Sequence, residues 1–382
     1  MKKKSMGEFP LLHENEGIPL FYPNISKSAI DEVVDTLSGR WIGQGPKVNS
    51  FENEFKKKYL GNKSALAVGS GTDALHLSYL LSNINPGDDV LVPVFTCTAT
   101  NIPLLYIGAN PIFIDIDPLT MNISVDDVVK KITKKTKALV CVDYGGMPCD
   151  YKQLNEICKE YKLKLISDAA HSLGSKYKGQ FSGQLADYTI FSFQAIKTLT
   201  TGDGGMLAIR DNNELSRAKR LRWFGIDREN KQGGIWENNI REIGYKYQMT
   251  DIAASMGLRA LDDIDSVIKY RIELFQTYVA KLNIKRVQMI GEEIDVDSVN
   301  SAWLSTIIVD SDRVGLMKKL RNSGVESGQV HYRNDRYSIF GGRKIDLPVM
   351  DDLEDRYLVL PLHTKMNVQD VEFICEIINE GW

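Results

Sequence analysis

Two residues in this chain stand out as able to do chemistry, a lysine and an aspartate that each close an apolar run. Lys197 ends Phe191-Ser192-Phe193-Gln194-Ala195-Ile196-Lys197, which reads as a buried strand running into a loop that continues as Thr200-Thr201-Gly202-Asp203-Gly204-Gly205. Asp168 follows Leu163-Lys164-Leu165-Ile166-Ser167 and precedes Ala169-Ala170-His171. An amine and a carboxylate placed this way suit a Schiff base to an aldehyde cofactor, with the acid holding the cofactor's ring nitrogen. Each residue also has a plainer reading. A strand-end aspartate caps the next turn, and most lysines are solvated.

A third element is Gly69-Ser70-Gly71-Thr72-Asp73-Ala74-Leu75, which leads into a helical pattern over Ala74 to Leu81. A glycine-rich turn entering a helix presents backbone N–H groups and a positive dipole end, which suit a phosphate, and the Thr72 hydroxyl could add to them. The plainer reading is a helix N-cap supplied by Thr72 or Asp73. The turn has neither a Walker lysine nor the dinucleotide glycine pattern.

The elements that must position these residues are legible as alternation. Apolar runs at Val90–Pro93, Pro111–Ile116, Ala138–Val142, Leu163–Ser167, Tyr188–Phe193 and Met206–Ile209 are interspersed with helical patterns at Ser124–Ile132 and Asp150–Tyr161. Buried strands alternating with helices predict an α/β fold with a mostly parallel sheet covered on both faces. In such sheets ligands bind beyond the carboxyl ends of the strands, where Asp168 and Lys197 both fall. A helical pattern from Met249 to Leu282 exceeds a usual globular helix, so a bend or break is expected near Asp262-Asp263. Beyond it, Ala302–Val309 reads as a strand, and Arg313–Ser323 and Val368–Ile378 read as helices, which predicts a smaller α+β domain. The expected division is an N-terminal segment over 1–30, a large domain over 31–263 and a small C-terminal domain over 264–382.

Composition excludes several classes. A net charge of −3, from 47 basic and 50 acidic residues, gives no bulk attraction to nucleic acid. No apolar run is long enough to span a membrane. Met1-Lys2-Lys3-Lys4 has no apolar stretch after it and reads as a solvated tail. The five cysteines, Cys97, Cys141, Cys149, Cys158 and Cys375, show no metal-ligand spacing. Their scatter suits a reduced, cytoplasmic protein without disulfides, and no metal site is expected.

Taken in order along the chain, these motifs resemble the DegT/StrS-type (DegT/DnrJ/StrS) sugar aminotransferases, fold-type I enzymes that use pyridoxal 5′-phosphate (PLP). The similarity runs from Trp41-Ile42-Gly43-Gln44-Gly45-Pro46 through the Ser70–Leu75 turn and Gly108–Asp117 to Asp168-Ala169-Ala170-His171. It continues through Ser192-Phe193, Lys197 and Gly202–Gly205 to Val330-His331-Tyr332 and Leu360-Pro361-Leu362-His363. The resemblance implies that the large domain binds PLP, that Lys197 forms the Schiff base and shuttles a proton, and that Asp168 keeps the pyridinium nitrogen protonated. It also implies that His171 lies near the ring hydroxyl, that Ser70, Gly71, Thr72 and Ser192 hold the phosphate, and that Ala170 packs beneath the ring.

The sequence departs from the family pattern at several positions. Cys97 stands where many relatives stack an aromatic residue on the cofactor, so either the stacking is weaker here or Phe95 or another aromatic substitutes. Lys246 occupies the place of an asparagine that reaches a partner subunit's cofactor phosphate, Gln248 that of an arginine, and Phe224 that of a histidine. Trp41, His331, Tyr332 and Arg333 are expected to face the substrate. The implied function is transfer of an amino group from an amino acid, L-glutamate by expectation, to a nucleotide-linked keto-sugar in polysaccharide or glycoconjugate synthesis. A homodimer with shared active sites is implied, with no nucleic-acid or membrane partner. A smaller phosphorylated ketone as substrate, a same-fold dehydratase and a non-catalytic PLP-binding protein are the alternatives. Dehydrating relatives carry histidine at the lysine position, so Lys197 speaks against dehydration.

Overall fold

The computed structural model describes residues 12, 16–228, 233–234, 239–292, 295–344 and 346–382; the basic tail at Met1-Lys2-Lys3-Lys4 lies outside them. Seven strands form the main sheet: β1 (Ser64–Val68), β2 (Asp89–Pro93), β3 (Asn110–Ile114), β4 (Thr136–Val142), β5 (Lys164–Asp168), β6 (Tyr188–Ser192) and β7 (Gly205–Ile209). Their spatial order is β1-β7-β6-β5-β4-β2-β3. The run from β3 to β6 is parallel, and β7 lies antiparallel between β6 and β1. The central strands are buried along most of their length because helices cover both faces.

This topology brings the chemistry to one edge. Asp168 ends β5, Ser192 ends β6 and Val68 ends β1. Gly205 begins the antiparallel β7, so it pairs with both Val68 and Ser192 at the same edge. Helices α3 (Gly71–Leu81) and α4 (Thr98–Tyr106) start near that edge, while α1 (Lys27–Ser38) and α2 (Pro46–Phe55) pack against the long helix that follows Thr250.

The long helical pattern is one unbroken helix, α5 (Asp251–Lys281), with Thr250 capping its start through the Ala253 N–H. At about 1.5 Å per residue it runs roughly 46 Å. The break expected near Asp262-Asp263 does not occur. Leu261, Ile264, Ile268, Leu274, Phe275 and Tyr278 keep one helical face buried, while Asp262 and Asp263 lie on the exposed face and interrupt nothing. The first half of α5 packs on the core beside the main sheet and the second half on the core of the small sheet. The boundary at residue 263 therefore falls inside a helix shared by both cores.

The small sheet holds β8 (Val287–Met289), β9 (Ser305–Val309) and β10 (Tyr357–Leu360), all antiparallel, with helices Arg313–Asn322 and Val368–Asn379 packed on it. The expected strand at 302–309 begins only at Ser305. Ala302 takes a left-handed φ of 53°, and the chain turns there instead of pairing. Among the described residues no helix is long and apolar enough to cross a membrane, and no group of acidic, histidine and cysteine residues could hold a metal.

Candidate active site

Asp168 is almost completely buried at the carboxyl end of β5. Its Oδ2 accepts a hydrogen bond from the Thr100 hydroxyl at 2.8 Å, and its Oδ1 accepts the Ala170 N–H at 3.1 Å. Thr100 lies on α4 and is itself paired with the Thr96 hydroxyl at 2.8 Å. Burial raises the Asp168 pKa, and the Thr100 and Ala170 hydrogen bonds and the positive charge of Lys197 oppose it. A buried carboxylate accepting only two hydrogen bonds keeps lone pairs free for an N–H⁺ group.

Lys197 sits in a turn just after β6, closed by its N–H donating to the Gln194 carbonyl at 2.9 Å. Its Nζ lies 3.6 Å from the ring centre of Trp303. Among the described residues no carboxylate is within ion-pair distance of it. Burial lowers the amine to about 8, while Asp168 and Cys97 pull it upward. An amine held this way is partly unprotonated near neutrality and can act as a nucleophile.

The phosphate turn is built on the start of α3. Ser70 is the N-cap, its Oγ accepting the Asp73 N–H at 3.1 Å. The cap is therefore Ser70, not Thr72 or Asp73, and the helix begins three residues before the expected Ala74. Two glycines here are required by contact. A Cβ on Gly71 would lie 3.0 Å from the Ser192 Cβ, and one on Gly205 would lie 2.5 Å from the Ser70 carbonyl oxygen. The helix start thus seats directly on the ends of β6 and β7, setting the Ser192 hydroxyl beside the first-turn N–H groups. That is a cradle for an anion.

His171 and His331 complete the site. His171 Nδ1 accepts the Gly145 N–H at 3.4 Å, and its Nε2 lies 3.2 Å from His331 Nε2. With Nδ1 accepting, the His171 proton belongs on Nε2, which donates to His331. The proton of His331 then belongs on Nδ1. Burial is the main reason both rings stay neutral, with the Lys197 charge adding to it: His331 is lowered to about 3 and His171 well below its usual value. The His171 ring stacks on Trp303 at 4.0 Å between centroids.

The site thus joins Lys197, Asp168, His171, His331, Ser70, Gly71 and Ser192. Thr72 follows Gly71 in the same helical turn, Ala170 adjoins Asp168, and Cys97 caps the start of α4, half-buried. Other expected residues are placed differently. Phe95 does not substitute for a ring-stacking aromatic, because it is packed in the core at 5.0 Å from both Tyr144 and Tyr357. Arg333 does not face a substrate. Its fully buried guanidinium is spent on Asp335, at 2.6 and 2.7 Å, and on Asp351. Tyr332 pairs through its backbone with Thr96, and Arg336 covers its ring. Trp41 is exposed beside Arg40. Lys246 is exposed, with Nζ 4.4 Å from the ring centre of Trp223.

Thr100 and Trp303 were missed by sequence reasoning. Thr100 could have been found as a hydroxyl on the helix after β2. Trp303 carried no local signal, since it reads as part of a strand.

The residues present fit PLP: a half-buried amine without a carboxylate partner, a carboxylate with free lone pairs, and an anion cradle converge on one sheet edge. The profile of the DegT/DnrJ/EryC1/StrS aminotransferase family matches residues 23–379. The chain is 34% identical over 366 residues to GDP-perosamine synthase of Escherichia coli O157:H7, covering 95% of this chain and 98% of that one. Its fold matches Spr1654 of Streptococcus pneumoniae, assigned as a sugar aminotransferase, in its PLP form, with a TM-score of 0.89, 30% identity and coverage of 95% and 98%. It also matches DesI in the presence of its TDP-sugar product, with a TM-score of 0.85, 27% identity and coverage of 97% and 94%.

Proposed function

The chain belongs to the DegT/DnrJ/EryC1/StrS aminotransferase family of PLP-dependent sugar aminotransferases, and on that premise we propose that it transfers an amino group from L-glutamate to a nucleotide-linked keto-sugar. When bound, PLP supplies an aldehyde that condenses with amines and a pyridinium ring that takes up the electrons of the bond broken at the amine-bearing carbon. Asp168 holds the ring nitrogen protonated, and Thr100 and the Ala170 N–H keep that carboxylate in register. The first-turn N–H groups of Gly71 and Thr72, with the Ser70 and Ser192 hydroxyls, hold the phosphate. Lys197 would accept the proton lost by the amino donor and later release it, since an amine near 8 can do both at neutral pH.

His171, as a neutral group, would orient the cofactor ring without adding charge. The neutral Nδ1–H of His331 is left to donate to the sugar. A nucleotide-linked sugar is the substrate best supported, because the relatives include a GDP-perosamine synthase and a protein crystallised with a TDP-sugar. The working unit is a homodimer in which Lys246 reaches the partner's phosphate cradle. The exposed apolar stripe Ile30, Val34 and Leu37 on α1 supports a partner surface. Such a dimer would act in the cytoplasm, where nucleotide sugars are made.

The observation that carries the reading is the half-buried Lys197 amine, on the Trp303 ring and without a carboxylate in ion-pair distance among the described residues. Adding L-glutamate to the PLP-loaded protein should convert the cofactor's absorbance to that of its aminated form. A panel of keto-sugar nucleotides should then regenerate the starting spectrum with one member. Normal turnover by Lys197→Ala would sink the reading.

A further inference from the structure

Trp303 is the residue that the reaction chemistry does not account for. It is 1% exposed, yet it sits at the centre of the site. Lys197 Nζ lies 3.6 Å from its ring centre, and its Nε1–H donates to the carbonyl of Ile196, the residue before the lysine, at 3.0 Å. One indole therefore references both the backbone and the far end of the same lysine. The ring is itself immobilised, stacked with His171 at 4.0 Å and with Phe21 at 5.8 Å.

The backbone that carries this ring is held with unusual force. Trp303 N–H donates to the Gly145 carbonyl at 2.8 Å. Arg271, on α5, is buried and has no carboxylate within ion-pair distance among the described residues. It donates to the carbonyls of Ala302 at 3.1 Å, Trp303 at 2.8 Å and Leu362 at 2.7 Å. Ala302 is kept in a left-handed conformation that a non-glycine residue adopts only under constraint. Gly146 makes room for that turn, since a Cβ there would fall 2.8 Å from the Ala302 nitrogen.

We propose that Trp303 is a positioning residue for the catalytic amine, seating Lys197 Nζ on the indole face and fixing the turn that bears it. This inference rests on the reading of Lys197 given above. The chemical sense lies in what an indole face is. It attracts an ammonium through its quadrupole but has no basic lone pair to take the proton. A carboxylate in the same place would hold the lysine charged and raise its pKa. The indole holds it in place and leaves its proton available. The free Lys197 amine is thereby kept at one location, from which a proton would move along one path. Arg271 and the strained Ala302 are the anchors that bring this ring from the small domain into a site on the large sheet.

The test begins with the cofactor-free protein. Its indole emission should titrate with a midpoint near 8, following Lys197. The transition should vanish in Lys197→Met and in Trp303→Phe. Persistence in Trp303→Phe would overturn the contact. In the loaded enzyme, Trp303→Phe keeps a ring face and loses the N–H tie, so kcat should fall about 10-fold, with a larger fall in Trp303→Leu. KM for the amino donor should stay within about twofold in both, as for an interaction made in the proton-transfer step. The isotope effect from Cα-deuterated amino acid should rise with the loss of kcat. Wild-type kcat and isotope effect in Trp303→Phe would overturn the inference; that variant decides the matter if Trp303→Leu does not fold. A wild-type protein inert toward every amino acid would instead defeat the functional reading, and the emission titration would still judge the contact.

Discussion

The imidazoles of His171 and His331 lie parallel, 5.0 Å between centroids and 6° apart in plane, with their Nε2 atoms 3.2 Å from each other. Two cationic rings could not occupy that arrangement beside the Lys197 amine. Burial, with the Lys197 charge, keeps both neutral, His331 to about 3.

The consequence is a pH dependence of stability. In the unfolded chain each ring gains a proton near its ordinary value of roughly 6.5. In the folded protein His331 does so only near 3. The unfolded state therefore binds more protons between those values, so the contribution of the pair is present above about 6.5 and is lost as pH falls toward 3. Thermal melting of the cofactor-free protein should show His331→Asn losing stability less steeply than wild type between pH 6.5 and 4, about those limits. Parallel slopes would contradict the neutral pair.

Asp168 should be required for holding the cofactor in its electron-accepting form. Asp168→Asn removes the charge that keeps the ring nitrogen protonated, and the rate of the glutamate half-reaction should drop by about 10²-fold or more. Thr100→Val removes the 2.8 Å hydrogen bond to that carboxylate together with the Thr96 hydroxyl contact, and keeps the charge of Asp168. It should cost about 1–3 kcal/mol of stability in urea unfolding, with a smaller loss of rate than Asp168→Asn. An unchanged rate in Asp168→Asn would contradict this role.

Arg333 should behave as a structural residue. Its guanidinium and the Asp335 carboxylate are both fully buried and paired with two hydrogen bonds. Arg333→Met leaves Asp335 uncompensated, so unfolding free energy should fall by roughly 3–5 kcal/mol. In the fraction that stays folded, KM for the sugar substrate should be close to wild type. A raised KM at unchanged stability would return Arg333 to the substrate wall.

Gly146→Ala tests the junction that delivers Trp303. The added Cβ meets the Ala302 nitrogen at 2.8 Å, backbone against backbone, where neither side can easily give. A positive φ of 104° adds strain. The variant should be destabilised by about 1–3 kcal/mol and should lose the Lys197-dependent titration of indole emission. Gly179→Ala, also at positive φ but with open space around it, is the control for backbone strain alone.

Much of this protein was legible in its residues. The alternation of buried runs and helices determined a mostly parallel α/β sheet, because strands covered on both faces must be apolar throughout. The ends of those runs placed Asp168 and Lys197 at one edge, the glycine-rich turn before a helix suggested an anion cradle, and the resemblance added Ser192 to it. The order of the motifs identified the family. These features are local, or follow from the period of the chain.

What the residues alone did not carry came from contacts between distant segments. The unbroken α5 depended on two cores meeting one helical face, which outweighed the local acidity of Asp262 and Asp263. Arg333 looked available for a substrate until Asp335 and Asp351 closed on it in three dimensions. Trp303 entered the site only because Gly145, Gly146 and Arg271 fold a turn of the small domain against the large sheet. A side chain's burial and partners are set by which elements pack together, and the spacing of residues along a strand or helix does not encode that.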